Sequence, residues 1–229
     1  FNRAELVEIV SWSAWQYGGP RMLSSWRAED YKQNGKVVLE ALPVRMAYDR
    51  YAGAAPGEPF SPPLPDEPAE AIIRRAKASD SPPADWLEFL SAHPRALRAW
   101  SEFYWRLFEG RVLPAKFKQL IRVRLSQVMD CPEWASEDSP RLKELGIGAA
   151  ERAALRQNDR AQLSAREIEA LSYAEVMSYG SPVDNETFSA VAPHFSDAEK
   201  VELGFIVAIQ IGTIRVYRWL KRIGQLRAL

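Results

Sequence analysis

Residues 113–138, LPAKFKQLIRVRLSQVMDCPEWASED, decide how this chain folds. Within them Phe117, Leu120, Ile121, Leu125 and Val128 recur at steps of three and four, with a single step of one, which is the spacing of one face of an α-helix. The pattern predicts an amphipathic helix ending near Cys131. The stretch that follows, Asp130-Cys-Pro-Glu-Trp-Ala-Ser-Glu-Asp138, holds four carboxylates in nine residues. On a continued helix Glu133, Glu137 and the region of Asp130 would share a face, with Asp138 beside it. Like charges held that close raise at least one carboxyl pKa and so supply a general acid or base near neutrality. A structural reading stands next to the catalytic one. Ser139-Pro140 is a good N-cap and N1 pair, and acids just before a helix start favour its dipole.

Helix signals continue on both sides of this stretch. Ser164-Ala-Arg-Glu167 and Ser196-Asp-Ala-Glu199 read as capping boxes, opening apolar-periodic runs to about Tyr179 and toward Ile223. Gly146 after Leu145 suits a helix C-terminus, because glycine takes positive φ without steric cost. Residues 84–108 read as two helical pieces, since Pro94 disfavours α geometry at His93. No period-two strand pattern and no internal repeat appear, and the fold class that follows is all-α.

The chain divides into three regions. Residues 1–53 form an aromatic-rich helical extension with Trp12, Trp15, Tyr17, Trp26 and Tyr31 close together. Residues 54–68 contain six prolines, which remove donors and fix φ, so this segment is a connector. Residues 69–229 form the main helical domain. Across such a linker, the extension reads as an arm exchanged onto a neighbouring subunit, or alternatively as a lid over a pocket.

Composition excludes several function classes. Thirty basic and thirty acidic residues cancel, so no overall field recruits nucleic acid or anionic lipid. Arg215, Arg218, Lys221 and Arg222 recur at helical spacing and read as a solvated helix face. A single cysteine, Cys131, forms no internal disulfide, and with His93 and His194 it leaves too few soft ligands for zinc or iron. No metal and no cofactor are expected. No run of about 20 apolar residues suggests a membrane span. A reducing cytoplasm is the expected compartment, although a chain beginning at Phe1 leaves room for a removed leader.

The order of elements resembles the carboxymuconolactone decarboxylase / alkylhydroperoxidase-like family. Leu90-Ser-Ala-His-Pro-Arg-Ala-Leu-Arg-Ala-Trp100 is similar to its lead-in helix. Leu113-Pro followed by Gln119-Leu-Ile-Arg-Val-Arg124 is similar to its central helix. Cys131 falls twelve residues after Gln119, the family's spacing between relay glutamate and first cysteine. Leu145-Gly146-Ile147, Leu163-Ser164 and the run from Phe195 to Leu203 follow in family order. The resemblance, over roughly residues 85–224, implies a multi-helix orthogonal bundle and a homo-oligomer, trimeric or hexameric. A peroxidase member would carry Cys-x-x-Cys-x-x-x-His and an upstream glutamate. Here those positions read Cys131, Trp134, Asp138 and Gln119, so the dithiol cycle lacks its base and its resolving thiol.

Three functional readings remain. The first is cofactor-free acid/base chemistry, of the lyase or decarboxylase type, on a small organic acid. Arg122 would anchor the anion, where the family usually has an apolar residue, with Gln119 and Trp134 lining the site. Glu133, Glu137 or Asp138 would carry the proton beside Cys131. The second is a non-catalytic descendant kept for oligomeric binding or scaffolding. The third is a one-cysteine peroxide-reactive protein. His93 and His194 read as capping or packing residues, and Arg124 as structural.

Overall fold

The computed structural model describes residues 68–226, apart from 80–81, 111, 137, 158, 162 and 180–184. The aromatic extension, the connector up to residue 67, and Glu137 therefore lie outside the described residues. The described helices are α1 (Ala69–Ser79), α2 (Ala84–Leu90), α3 (Pro94–Glu109), α4 (Ala115–Val128), α5 (Pro140–Glu144), α6 (Ala149–Arg156), α7 (Ala165–Ser178), α8 (Asn185–Val191) and α9 (Asp197–Arg222). Short 3-10 turns occupy Pro132–Ala135 and Ala192–His194. No strand occurs among the described residues, and the fold is all-α.

Local chemistry sets the helix ends. His93 breaks α2 from α3 with φ −131°, and its Nδ1 accepts from the Ala96 N–H at 3.2 Å while Pro94 starts the new helix. At Ser164 and Ser196 each hydroxyl accepts from the third residue's N–H at 3.3 Å. Glu167 and Glu199 return the bond to the serine N–H at 2.8 and 2.9 Å. Gly146 takes φ +69°, as its place after a helix end predicts.

Helix α9 is the spine. Leu203, Phe205, Ile206, Val207, Ile211, Ile214, Tyr217 and Leu220 are all buried along it, and it packs against α3, α4 and α7. Its length and mean hydropathy of 1.2 over 18 residues are those of a membrane span, but 72 % of that window is buried inside the bundle. Helix α4 lies between α7 and α9, which is why its polar residues also become buried.

One buried ion pair joins α4 to α9. The Lys118 ammonium donates to Glu202 Oε1 at 2.6 Å, to the Leu107 carbonyl at 2.7 Å and to the Gly110 carbonyl at 2.8 Å. Glu202 Oε2 accepts the Leu113 N–H at 2.7 Å, so the pair also holds the α3–α4 loop. Burial pulls the Lys118 pKa below the ordinary lysine range, against the hydrogen bond and charge of Glu202. A Cβ on Gly110 would meet both Arg106 O and Glu202 Oε1 at 2.9 Å, so only glycine fits there. On the opposite side Arg124 donates to Glu175 at 2.7 Å and to Leu155 O at 2.6 Å, binding α4 to α7 and α6.

The acidic stretch does not continue the helix. Helix α4 stops at Val128, and Asp130 takes φ +50°. The Cys131 N–H then closes back on Ser126 O at 2.8 Å, a left-handed helix stop. Residues 132–135 form a 3-10 turn, so Asp130, Glu133 and Asp138 share no helical face. The structural reading of Ser139-Pro140 holds: the serine caps α5 with Pro140 in its first turn.

Candidate functional site

Two separate polar groups replace the single centre expected from sequence. The first lies within α4, where Arg122 Nη1 donates to Gln119 Oε1 at 3.2 Å. Both side chains are buried, Arg122 completely. At about 1.5 Å per residue, Gln119 stands about 10 Å down the helix from Ser126, whose carbonyl holds the Cys131 backbone. Arg122 is thus a core residue locked to Gln119, with no solvent-facing surface for an anionic substrate.

The second group surrounds Cys131. Its thiol is 1 % exposed and faces Glu133, with Sγ to Oε2 at 3.8 Å. Burial, and then the Glu133 charge, push the thiol pKa from 9.0 up to about 12. Helix α9 closes over this turn with its last two helical turns. Lys221 forms a hydrogen-bonded ion pair with Glu133, and Arg218 donates to the Met129 carbonyl with Asp130 3.8 Å away. From below, Arg152 of α6 donates to Ser136 O at 3.0 Å and Ala135 O at 2.7 Å. Of the four basic residues read as a solvated face, Arg218 and Lys221 tie this turn and Arg222 is exposed. Arg215, too, donates to Ser178 O at 2.6 Å.

Trp134, at the position of the family's second cysteine, is completely buried. Its Nε1 donates to Gln210 Oε1, and its ring meets Tyr217 edge-on at 5.7 Å and 66°. Gln210 Nε2 is buried with no hydrogen-bond partner among the described residues. Tyr217 in turn donates its hydroxyl to Asp85 Oδ2 at 2.7 Å, while Asp85 Oδ1 accepts the Trp86 N–H at 2.9 Å. Burial raises the Asp85 pKa against the lowering effect of the Tyr217 bond. Burial, then Asp85, raise that of Tyr217.

The expectation that crowded acids raise a carboxyl pKa within 130–138 fails at Glu133. Burial raises its pKa, but the Lys221 hydrogen bond and charge outweigh this, and the net shift is downward. Asp138 points into solvent, 98 % exposed, 3.5 Å from Lys143. Glu133 is not placed as a neutral acid. The sign of the Glu133 shift makes a pH prediction. The pair stabilises the fold above 4.5, the unfolded value, and its contribution is lost as pH falls through the lower folded value. In urea unfolding, the gap between wild type and Glu133→Gln is expected at pH 6 and should have narrowed by pH 3.

Gln210, Tyr217 and Lys221 were not legible as partners of the turn, because each reaches it or its tryptophan across 76 or more residues of chain, and Asp85 joins through Tyr217 across 132. Among the described residues no three His, Cys, Asp or Glu side chains converge as metal ligands. An open cleft of about 380 Å³ lies elsewhere, between α4, α6 and α7. Leu120, Leu155 and Leu163 form its floor, and Lys116, Glu151, Asp159 and Glu167 its rim. Neither Cys131 nor Arg122 lines it.

Compared with known proteins, residues 94–176 match the family model described as the carboxymuconolactone decarboxylase family. No curated protein and no solved structure matches the chain.

Proposed function

We propose, for a chain that belongs to the carboxymuconolactone decarboxylase family across residues 94–176, that the ancestral redox centre has become packed core and that the domain works as a binding module. The observation that carries this reading is Trp134. Where a dithiol member has its second sulfur, this chain has a completely buried indole wedged between Gln210 and Tyr217. A thiol cycle needs an exposed thiolate, a base and a resolving thiol. Cys131 is buried with a raised pKa, Gln119 carries no exchangeable charge, and Trp134 occupies the third position. The scaffold reading is therefore favoured over both peroxide chemistry and acid/base chemistry at residues 130–138. In an assay of peroxide consumption with excess dithiol, the full chain is expected to add nothing to the protein-free rate. Turnover that disappears in Cys131→Ser would overturn the reading.

One observation favours a second reading, in which acid/base chemistry persists but uses other residues. Among the described residues Asp85 is the carboxylate whose pKa is raised, and its partner Tyr217 is a phenol that burial and Asp85 hold protonated as a hydrogen-bond donor. On this reading Tyr217→Phe and Asp85→Asn each abolish turnover of whichever small acid is found by substrate screening. Equal activity in both variants and wild type would end it.

A further inference from the structure

The cleft between α4, α6 and α7 lies apart from the Cys131 turn and takes no part in the chemistry weighed above. Its floor is three leucines. Leu120 and Leu155 are buried, and Leu163 packs half-buried against the same core. Such a floor receives an apolar body, because covering it removes hydrocarbon from water on both sides of the contact. A volume of about 380 Å³ falls in the range of about 300–1,000 Å³ that small-molecule sites use.

Charge at the rim selects what that body carries. Glu151, Asp159 and Glu167 stand there against Lys116. Each carboxylate accepts a backbone N–H with one oxygen: Glu151 Oε2 from Gly148 at 3.0 Å, Asp159 Oδ1 from Ala161 at 3.0 Å, Glu167 Oε2 from Ser164 at 2.8 Å. These bonds orient the carboxylates and leave the second oxygen of each without a partner among the described residues. The basic side chains beside them in sequence are engaged elsewhere. Arg160 donates to the Ser172 hydroxyl at 3.0 Å, and Arg166 pairs with Glu199 at 2.5 Å. Glu151 and Glu167 already answer the positive first turns of α6 and α7, so those helix ends offer little to an incoming anion. A cation meets three oriented carboxylates, whereas an anion meets three like charges and one lysine.

We propose that the cleft binds a small free organic amine. Its aliphatic or aryl body rests on Leu120, Leu155 and Leu163, and its ammonium trails among the rim carboxylates. The division of the cleft into apolar floor and charged rim sets this orientation, with the hydrocarbon end entering first. A lysine reaching in from a peptide would enter ammonium first and set its charge on the leucines, where burial of an unpaired cation is costly. The geometry therefore favours a free amine over a basic peptide. The inference deepens the binding-module reading, on which it rests, by naming the ligand class.

The test titrates the full, isotope-labelled chain with phenylpropylammonium, followed by calorimetry and by backbone amide shifts. Saturable one-to-one binding is expected, with the shifts centred on Ala150, Ala154 and Leu163. Phenylbutyrate, which carries a carboxylate on the same body, should give no saturation. Glu167→Gln and Asp159→Asn keep the oxygen that accepts the backbone N–H, so the local turns survive. Each is expected to weaken the amine by about threefold and the two together by about tenfold, the size of exposed ion pairs. Lys116→Gln should tighten it by about threefold, and a gain of that kind cannot come from misfolding. Lysine amide with an acetylated α-amine should not displace the probe. Absence of saturation, equal binding of phenylbutyrate, unchanged affinity in the three variants, shifts centred elsewhere, or displacement by the blocked lysine would each overturn the proposal. Failure of the binding-module reading is separate: it would appear as Cys131-dependent peroxide turnover, whatever the amine titration gives.

Discussion

Cys131 in the folded chain is expected to react with a disulfide reagent at pH 8 at least about a thousandfold more slowly than in the urea-unfolded chain. The magnitude follows from the thiolate population. Moving the pKa from 9.0 to about 12 lowers the thiolate fraction at pH 8 by about three orders of magnitude, and the thiolate is the attacking species. Burial of the sulfur beneath the 132–135 turn adds a steric barrier to the electrostatic one. Time courses of absorbance with and without urea read this directly. A native rate within tenfold of the unfolded rate would mean an accessible, activated thiol, and would return the one-cysteine peroxide reading to first place.

The largest stability effects are expected at the Lys118–Glu202 pair. Removing either partner leaves an uncompensated charge in the core, which costs about 3–5 kcal/mol. Glu202→Leu should be the worse of the two. It orphans the Leu113 N–H as well as the ammonium, and a buried unsatisfied donor adds about 1–3 kcal/mol. Lys118→Met leaves the carboxylate with the Leu113 N–H still in place. For a chain of this size the loss corresponds to a fall in Tm of roughly 10 °C or more. The double variant Lys118→Met/Glu202→Leu should recover much of the loss, because an apolar pair of similar volume is tolerated where a lone charge is not. Thermal melts of the three variants measure this. Additive losses in the double variant would mean that the two side chains do not act as a pair.

How far the sequence could be read depends on how local each cause is. The ends of α7 and α9 were legible because Ser164 and Ser196 hold their glutamates three residues away. The break at His93 was legible because a proline acts on its neighbour. The end of α4 near Cys131 was legible, but the geometry beyond it was not. Nothing in Asp130 announces a left-handed residue, and with it Asp130, Glu133 and Asp138 leave the helical frame on which the catalytic reading depended. The site was legible only in outline. Gln119 pairs with Arg122 inside α4, while Cys131 and Trp134 lie in the turn beyond it, so the single centre that the spacing implied is divided. What Trp134 touches was hidden, because Gln210 and Tyr217 come from α9, more than 70 residues away, and Asp85 joins through Tyr217. Helical spacing also could not distinguish Lys221 and Arg218 as ties from Arg222 as a surface residue. That distinction depends on a carbonyl and a carboxylate supplied by another turn.

The segment from Met129 to Ser136 is fastened from two directions, by Arg218 and Lys221 of α9 and by Arg152 of α6. The two ties from α9 are surface-grade interactions and the Arg152 tie is buried, yet none can be released without disturbing a helix that also carries core. The sulfur is therefore not sheltered by a flap with its own private equilibrium. It comes to light only when the tail of the longest helix lifts or the sixth helix slides, so its exposure is governed by the cooperativity of the bundle and not by the few residues that surround it.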